Sequence, residues 1–294
     1  MDAQFCTDMA AAWRQAGSNL PGFDPAAAML ADAYEAFAAR LGGLASVPPP
    51  VIVPDPPLAL PFALDPAQYM SVGAPFGAPV MPAPYKPTGG TVEDTFFDVN
   101  SGYGVLPSDV PTTFRRCTFD GVNFARDAIG AYARNATFIE CEFRHCDNLL
   151  RLEENVTLER CWGHDPASAP GSHVDGIEVY GGRDGHAISN IALIDCRIEI
   201  PTNTDTNGAT AALNIATDWA PISDVLIRRS VLLGGGYPLL VRSGNGFGIA
   251  NVRLDDVVID GGRWGAVNGD SLTSAAITQW DNVRKLDGTP IPRP

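Results

Sequence analysis

The side chains that could do chemistry crowd into one stretch of the chain. All four histidines lie between His145 and His186, with Asp147, His164-Asp165, His173-Val174-Asp175-Gly176-Ile177-Glu178, Arg183 and Asp184 among them. Two carboxyl groups can cut a glycosidic bond when they stand about 5–10 Å apart across it. Asp175 and Glu178 are the candidate catalytic pair, with His173 beside them. Residues i and i+3 of a regular strand face opposite sides. The pair therefore meets only if the backbone kinks, and Gly176 could supply that kink. The plainer reading, and the favoured one, makes Asp175-Gly176 a turn before a strand, with the glycine free to take φ > 0. His164, Tyr180, Arg183, Asp184 and Trp219 are the candidate substrate-binding residues. Trp162, Tyr237 and Trp264 could also stack on sugars where they are exposed.

These residues must be positioned by a repeat. In Ile191-Ala192-Leu193-Ile194-Asp195-Cys196-Arg197-Ile198 the apolar residues sit two apart, then three, then two. The phrase recurs at Ala136, Phe138, Cys141, Phe143, at Val225, Ile227, Ser230, Leu232, and at Val252, Leu254, Val257, Ile259. Weaker copies are Thr112, Phe114, Cys117, Phe119 and Val156, Leu158, Cys161, Gly163. A second strand follows each copy, as in Leu149-Leu150-Arg151-Leu152, Ile177-Glu178-Val179 and Leu213-Asn214-Ile215, with no helical pattern between. Strand and turn alternating in this way read as a mainly β chain, a parallel β-helix in which each coil buries its apolar face against its neighbours. In-register stacking would place Arg151 below Glu178 and Asn214 above it. The long spacings from Cys161 to Cys196 and from Cys196 to Ser230 imply loops on one side, where solenoids commonly bind.

The solenoid is expected over residues 93–294, with the proline-ended tail from Gly288 lying across the last coil. Residues 46–92 carry Pro48-Pro49-Pro50, Pro56-Pro57 and Pro82-Ala83-Pro84, which oppose helix and central strand. Interleaved Leu58, Phe62, Tyr69, Phe76 and Tyr85 suggest an extended arm lying on another surface. Residues 1–45 read as short α-helices: one amphipathic from Asp2, and a second after Asp24-Pro25, an N-cap with proline at the first helical position. In the second, Ala27, Leu30, Tyr34, Phe37 and Leu41 alternate in steps of three and four, the spacing of a coiled-coil seam. That seam predicts a homotrimer.

The net charge of −14 opposes binding to nucleic-acid backbones, which is driven by Lys and Arg neutralising phosphates. No apolar run is long enough to span a membrane, and no secretory signal opens the chain. Cys117, Cys141, Cys161 and Cys196 occupy one slot of the repeat. Their spacing matches no zinc motif, and they read as a buried stack of free thiols. No metal or other cofactor is expected.

One phrase carries a family resemblance. Ser172-His173-Val174-Asp175-Gly176-Ile177-Glu178-Val179-Tyr180-Gly181-Gly182 resembles the S-H-x-D-G-I-Q-x-x-G-G phrase of pectate-lyase-like right-handed β-helix proteins found as minor tail proteins of actinobacterial phages. Thr210 to Ile215, Pro221 to Val225 and Leu233 to Tyr237 are similar to that family too, so the likeness covers roughly Thr112 to Gly262. It implies a right-handed β-helix projecting from a phage tail toward host polysaccharide. The partners would be other tail proteins, and the location a virion assembled after folding in the host cytoplasm. Polygalacturonase motifs are incomplete: Asn203-Thr204-Asp205 and Asp255-Asp256 are present, but the Gly-His-Gly and Arg-Ile-Lys phrases are not. The first expectation is therefore a structural tail component that binds cell-wall glycan without cutting it. The alternative is a tail-borne polysaccharide depolymerase using Asp175, Glu178 and His173. A secreted bacterial β-helix enzyme is a third possibility, disfavoured by the missing signal.

Overall fold

The computed structural model describes residue 11 and residues 66–294, other than 70, 101, 122–127, 168–172, 181–184, 205 and 269–272. The expected N-terminal helices, the seam through Leu30 and Leu41, most of the proline-rich arm, and Arg183 and Asp184 lie outside those residues. Among the described residues no helix is long and apolar enough to cross a membrane.

The repeat phrase builds two faces of a parallel β-helix. Its first half forms an eight-stranded face that runs from Gly90–Glu93 through Thr112–Arg115, Ala136–Ile139, Val156–Glu159, Ile191–Ile194, Ile222–Arg228 and Ile249–Asp255 to Ile277–Asp281. Its second half forms a face running from Val80–Pro82 through Phe96–Asp98, Thr118–Asp120, Glu142–Arg144, Trp162–His164, Arg197–Thr202 and Val231–Gly235 to Val258–Asp260. The strands that follow each phrase make the third face: Ile129–Ala133, Asn148–Leu152, Val174–Tyr180, Ala209–Ala216 and Leu239–Arg242. The second and third faces touch at one antiparallel pair, Ala211 with Gly235.

Along the first face from Thr112 to Val252 the register follows the repeat without slippage. Thr112 pairs with Ala136, Ala136 with Val156, Val156 with Ile191, Ile191 with Val225 and Val225 with Val252. A one-residue slip would turn every apolar side chain outward, so the shared core fixes this alignment. Phe97, Phe119 and Phe143 stack at 4.6 and 4.8 Å between ring centres, and Phe114 lies on Phe138 at 5.0 Å. Cys117, Cys141, Cys161 and Cys196 form the expected column of free, buried thiols. Burial holds the Cys141, Cys161 and Cys196 thiols well above their usual range, which keeps them protonated and unreactive.

The residue before that column takes a left-handed conformation in coil after coil: Asp94, Arg116, Glu140, Arg160, Asp195, Arg229, Asp256 and Asn282 all have positive φ. It turns the chain from the first face to the second. The side chains along this edge alternate in charge, and Arg116–Asp94 (2.7 Å), Arg160–Glu140 (3.2 Å) and Arg229–Asp195 (2.8 Å) are ion pairs. The corner entering the first face uses Asn135, Asn155, Asn190, Asp224 and Asn251 in the same left-handed region, which Asn and Asp tolerate best. Their side chains bond from coil to coil: Asn155 to Asn135 at 2.9 Å, Asn190 to Asn155 at 3.0 Å, Asn251 to Asp224 at 2.6 Å.

Solenoid strands begin at Val80 rather than at Glu93. Val80–Pro82 pairs in parallel with Phe96–Asp98, and a proline is tolerated there because the strand is the edge of its sheet. The segment before it lies along the second face. Tyr69 is fully buried, packs with Val72 against Trp162, Val231, Leu233 and Val258, and donates its hydroxyl to the Asp195 carbonyl at 2.7 Å. At the other end the tail crosses the last coil, as expected. Ile291 packs on the core, its N–H bonds Val283 at 2.9 Å, and its carbonyl accepts the Trp280 Nε1–H at 2.8 Å.

Candidate functional site

The structure divides the residues singled out above between two regions. Asp175, Glu178, Tyr180 and Trp219 belong to the third face, whereas His164 lies on the second.

On the third face Asp175 and Glu178 do come together, by a different device from a turn. Asp175-Gly176 lies inside the strand Val174–Tyr180, with a register shift between Val174 and Asp175. Gly176 is not in the positive-φ region; what it supplies is a missing side chain. A Cβ there would stand 2.5 Å from the Ala212 carbonyl oxygen and 2.6 Å from Ile198. Gly176 and Ile177 both face inward, so Asp175 and Glu178 share the outer side. The neighbouring coil repeats the pattern, with Asn148 and Arg151 outside and Leu149 and Leu150 buried in the core.

The stacking around Glu178 is the one the sequence implies: Arg151 is its partner on one side and Asn214 on the other. Arg151 Nε and Nη2 both reach Glu178 Oε2, at 2.8 and 2.6 Å. The guanidinium lies between the Tyr132 and Tyr180 rings, 5.8 and 5.4 Å from their centres. Asp175 is only 2% exposed and Glu178 8%. Asn214 Nδ2 donates to Asp175 Oδ2 at 3.2 Å, and the Asp175 N–H donates to Asn148 Oδ1 at 3.0 Å. Burial, and then the Glu178 carboxylate within hydrogen-bonding reach, hold Asp175 well above the carboxylate range. Its Oδ1 has no conventional donor. Both observations favour the protonated form of Asp175. His173, just before the strand, is exposed. At the far end of the strand Trp219 Nε1 donates to the Tyr180 hydroxyl at 2.7 Å.

The second face carries a cleft of roughly 800 Å³. It is lined coil by coil: His145; Trp162, His164, Asp165 and Pro166; Glu199, Ile200, Pro201 and Thr202; Leu233 and Gly234; Asp260 and Gly261; and Leu286 of the tail. Its floor follows one column of the register, His164 and then Glu199–Leu233–Asp260. The His164 ring lies flat on Trp162, 3.7 Å between centres. Trp162 Nε1 donates to Glu199 Oε1 at 2.9 Å, and Arg197 holds Glu199 Oε2 at 2.9 and 3.0 Å.

His164 bridges two carboxylates, with Nε2 3.0 Å from Glu142 and Nδ1 2.8 Å from Asp165. Burial opposes its charge, but Glu142 and Asp165 outweigh that and raise it above the usual histidine value. Burial pushes Glu142 up, but His164, Arg144 and Thr118 more than reverse this and leave it below the usual value. The network continues through Arg144, 3.0 Å from Glu142 and 2.7 Å from Asp120, to His145, 2.7 Å from Asp120. Asp165 is the open end, its side chain 75% exposed.

Glu199 and Asp260 were not singled out from the sequence, although the signal was there. They sit in the same position of the repeat as His164, one residue past the last apolar slot. Among the described residues no cluster of His, Cys, Asp and Glu has metal-holding geometry.

No protein-family model and no curated protein matches the chain. Two solved structures are similar to it. One is the pectate lyase Pel9A, at 18% identity and a TM-score of 0.38, covering 66% of this chain and 57% of the lyase. The other is the A-module of the Azotobacter vinelandii mannuronan C-5 epimerase AlgE4, at 11% identity and a TM-score of 0.29, covering 72% of this chain and 86% of the module. The chain thus spans little more than half of the lyase. Neither likeness bears on chemistry, which rests on the site.

Proposed function

We propose that this protein acts on a polysaccharide held along the cleft of the second face. The observation that carries the reading is the shape of the cleft. It follows the stacking direction across successive coils from His145 to Gly261, which at ~4.8 Å per coil makes it about 20 Å long. A trough of that length fits a chain of several sugars better than a small metabolite. Its floor offers the edges of the stacked Trp162 and His164 rings with Glu199 and Asp260, and Asp165 and Thr202 stand beside them as further hydrogen-bonding partners for hydroxyls. With these carboxylates and a net charge of −14, the site favours a neutral glycan over an anionic one. Asp165, backed by His164, and Glu199 are the groups placed for acid–base work on a bound chain. The test is incubation with neutral cell-wall polysaccharides and detection of new reducing ends, since a neutral glycan lacks the uronate carboxyl that an elimination would need. Products that disappear in Glu199→Gln and His164→Ala support the reading; native protein that neither binds nor cuts any of them contradicts it.

A second reading has its own support. Glu199 is held by Arg197 and Trp162, and His164 by Glu142 and Asp165, so both are committed to internal partners. The cleft would then hold glycan without cutting it, on a homotrimeric phage-tail component that meets the host surface. Binding to host envelope polysaccharide with no product, and a trimer mass by light scattering of the full chain, would favour this reading.

A further inference from the structure

A single exposed aromatic ring is ordinary, but one held rigidly beside a cleft is a candidate contact. Trp264 is 58% exposed, yet it is firmly placed. Its ring lies against Gly236, where a Cβ would come within 2.2 Å of Cζ3. Its N–H donates to the Gly236 carbonyl at 2.9 Å, and the Arg263 N–H donates to the Gly235 carbonyl at 3.1 Å. Tyr237 braces it at 5.8 Å between ring centres. Arg263 lies 5.8 Å from the centre of the Trp264 ring and bonds Asn203 Oδ1 at 3.2 Å.

The position matters as much as the rigidity. Gly234 and Gly261 both line the cleft. The two segments leave it side by side, one to Gly236 and the other to Trp264, joined by the bonds just given. The ring therefore stands three residues past Gly261, outside the cleft's lining, at the corner between the second and third faces.

We propose that Trp264, braced by Tyr237, is a pyranose-stacking subsite that extends the cleft beyond Gly261. The inference rests on the reading of the cleft as a glycan trough. The C–H face of a pyranose is apolar and suits the exposed part of the indole, and the guanidinium of Arg263, held by Asn203 near the ring, is the donor at hand for hydroxyls. A short glycan fills the cleft alone; only a longer one reaches Trp264.

The experiment is calorimetric titration of the full chain with cello-, xylo- and manno-oligosaccharides, a short and a long member of each. The native protein is expected to bind the long member of one series more tightly than the short one. Trp264→Ala should weaken the long member roughly tenfold and leave the short one and the melting temperature unchanged. Gly236→Ala, which displaces the ring, should repeat the loss. Equal weakening of short and long members, or no change for the long one, would overturn the subsite. If His164→Ala abolishes binding while Trp264→Ala changes nothing, the subsite falls and the cleft stands. If no series binds the native protein, both fall.

Discussion

The acidic pair and the cleft are made from the same repeat, one face apart, and they treat charge in opposite ways. On the third face Asp175 and Glu178 are almost sealed, burial holds Asp175 above the usual carboxylate range, and Arg151 closes the pair off between two tyrosines. On the second face a histidine and several carboxylates are held just as firmly by neighbours, yet Asp165 opens to solvent and the column of which they are part floors a trough. A carboxyl pair that looks catalytic in sequence becomes an internal rung when each coil above and below supplies its partner. The same coil-to-coil stacking leaves an open trough along the outward column of the second face.

That contrast can be broken at several points. The largest effect is expected at Arg151. Its removal takes away the guanidinium that holds the nearly buried Glu178, so Arg151→Ala should cost about 3 kcal/mol in chemical denaturation. A loss too small to measure would mean that Glu178 is not a closed rung.

Asp175→Asn tests the raised Asp175 carboxyl. An unfolded aspartate ionises near 3.8 and the folded one is raised well above that. Between those values the folded state holds a proton that the unfolded state releases, so native stability falls as pH rises. Asparagine cannot ionise. The variant should lose that slope and be more stable than the native protein above neutral pH, by on the order of 1 kcal/mol. Identical slopes would show that Asp175 is already ionised.

The cleft has its own pH signature. Raised His164 contributes stability in full below its unfolded value of 6.5 and loses it as pH climbs through the folded value. Lowered Glu142 contributes above its unfolded value of 4.5 and loses it as pH falls through the folded one. The pair therefore stabilises most between those two unfolded values. His164→Gln should cost about 1 kcal/mol in that window and less on either side; a uniform loss across pH would point to packing instead. Least of all is expected at the corner ladder, where Arg116→Ala removes a solvent-screened pair and should leave the melting temperature unchanged.

Much of the architecture was readable because the repeat is a register as well as a pattern. Ala136, Val156, Ile191, Val225 and Val252 stack as their spacing implies, and so do Arg151, Glu178 and Asn214. The outer coils escaped because their slots are filled differently. Thr95 replaces a cysteine at one end, Val283 at the other, and Val80–Pro82 is a strand hidden among prolines. The Asp175-Gly176 pair was misread as a turn because its signal, a small residue after a carboxylate, is the same for a turn and for a strand with no room for a side chain. The cleft was half-legible. His164 stood out by type, but Glu199 and Asp260 become visible only when the repeats are aligned as columns, since distance along the chain conceals what stacking brings together.

The most direct measurement compares two variant sets in one assay. Glu199→Gln and His164→Ala in the cleft, and Asp175→Asn and Glu178→Gln on the third face, are each incubated with the neutral polysaccharide that the native protein binds, and bound glycan and released products are followed together. The cleft variants should lose binding and any product while the third-face variants keep both. Loss at Asp175 and Glu178, with cleft variants unaffected, would contradict the account and return the chemistry to the buried pair.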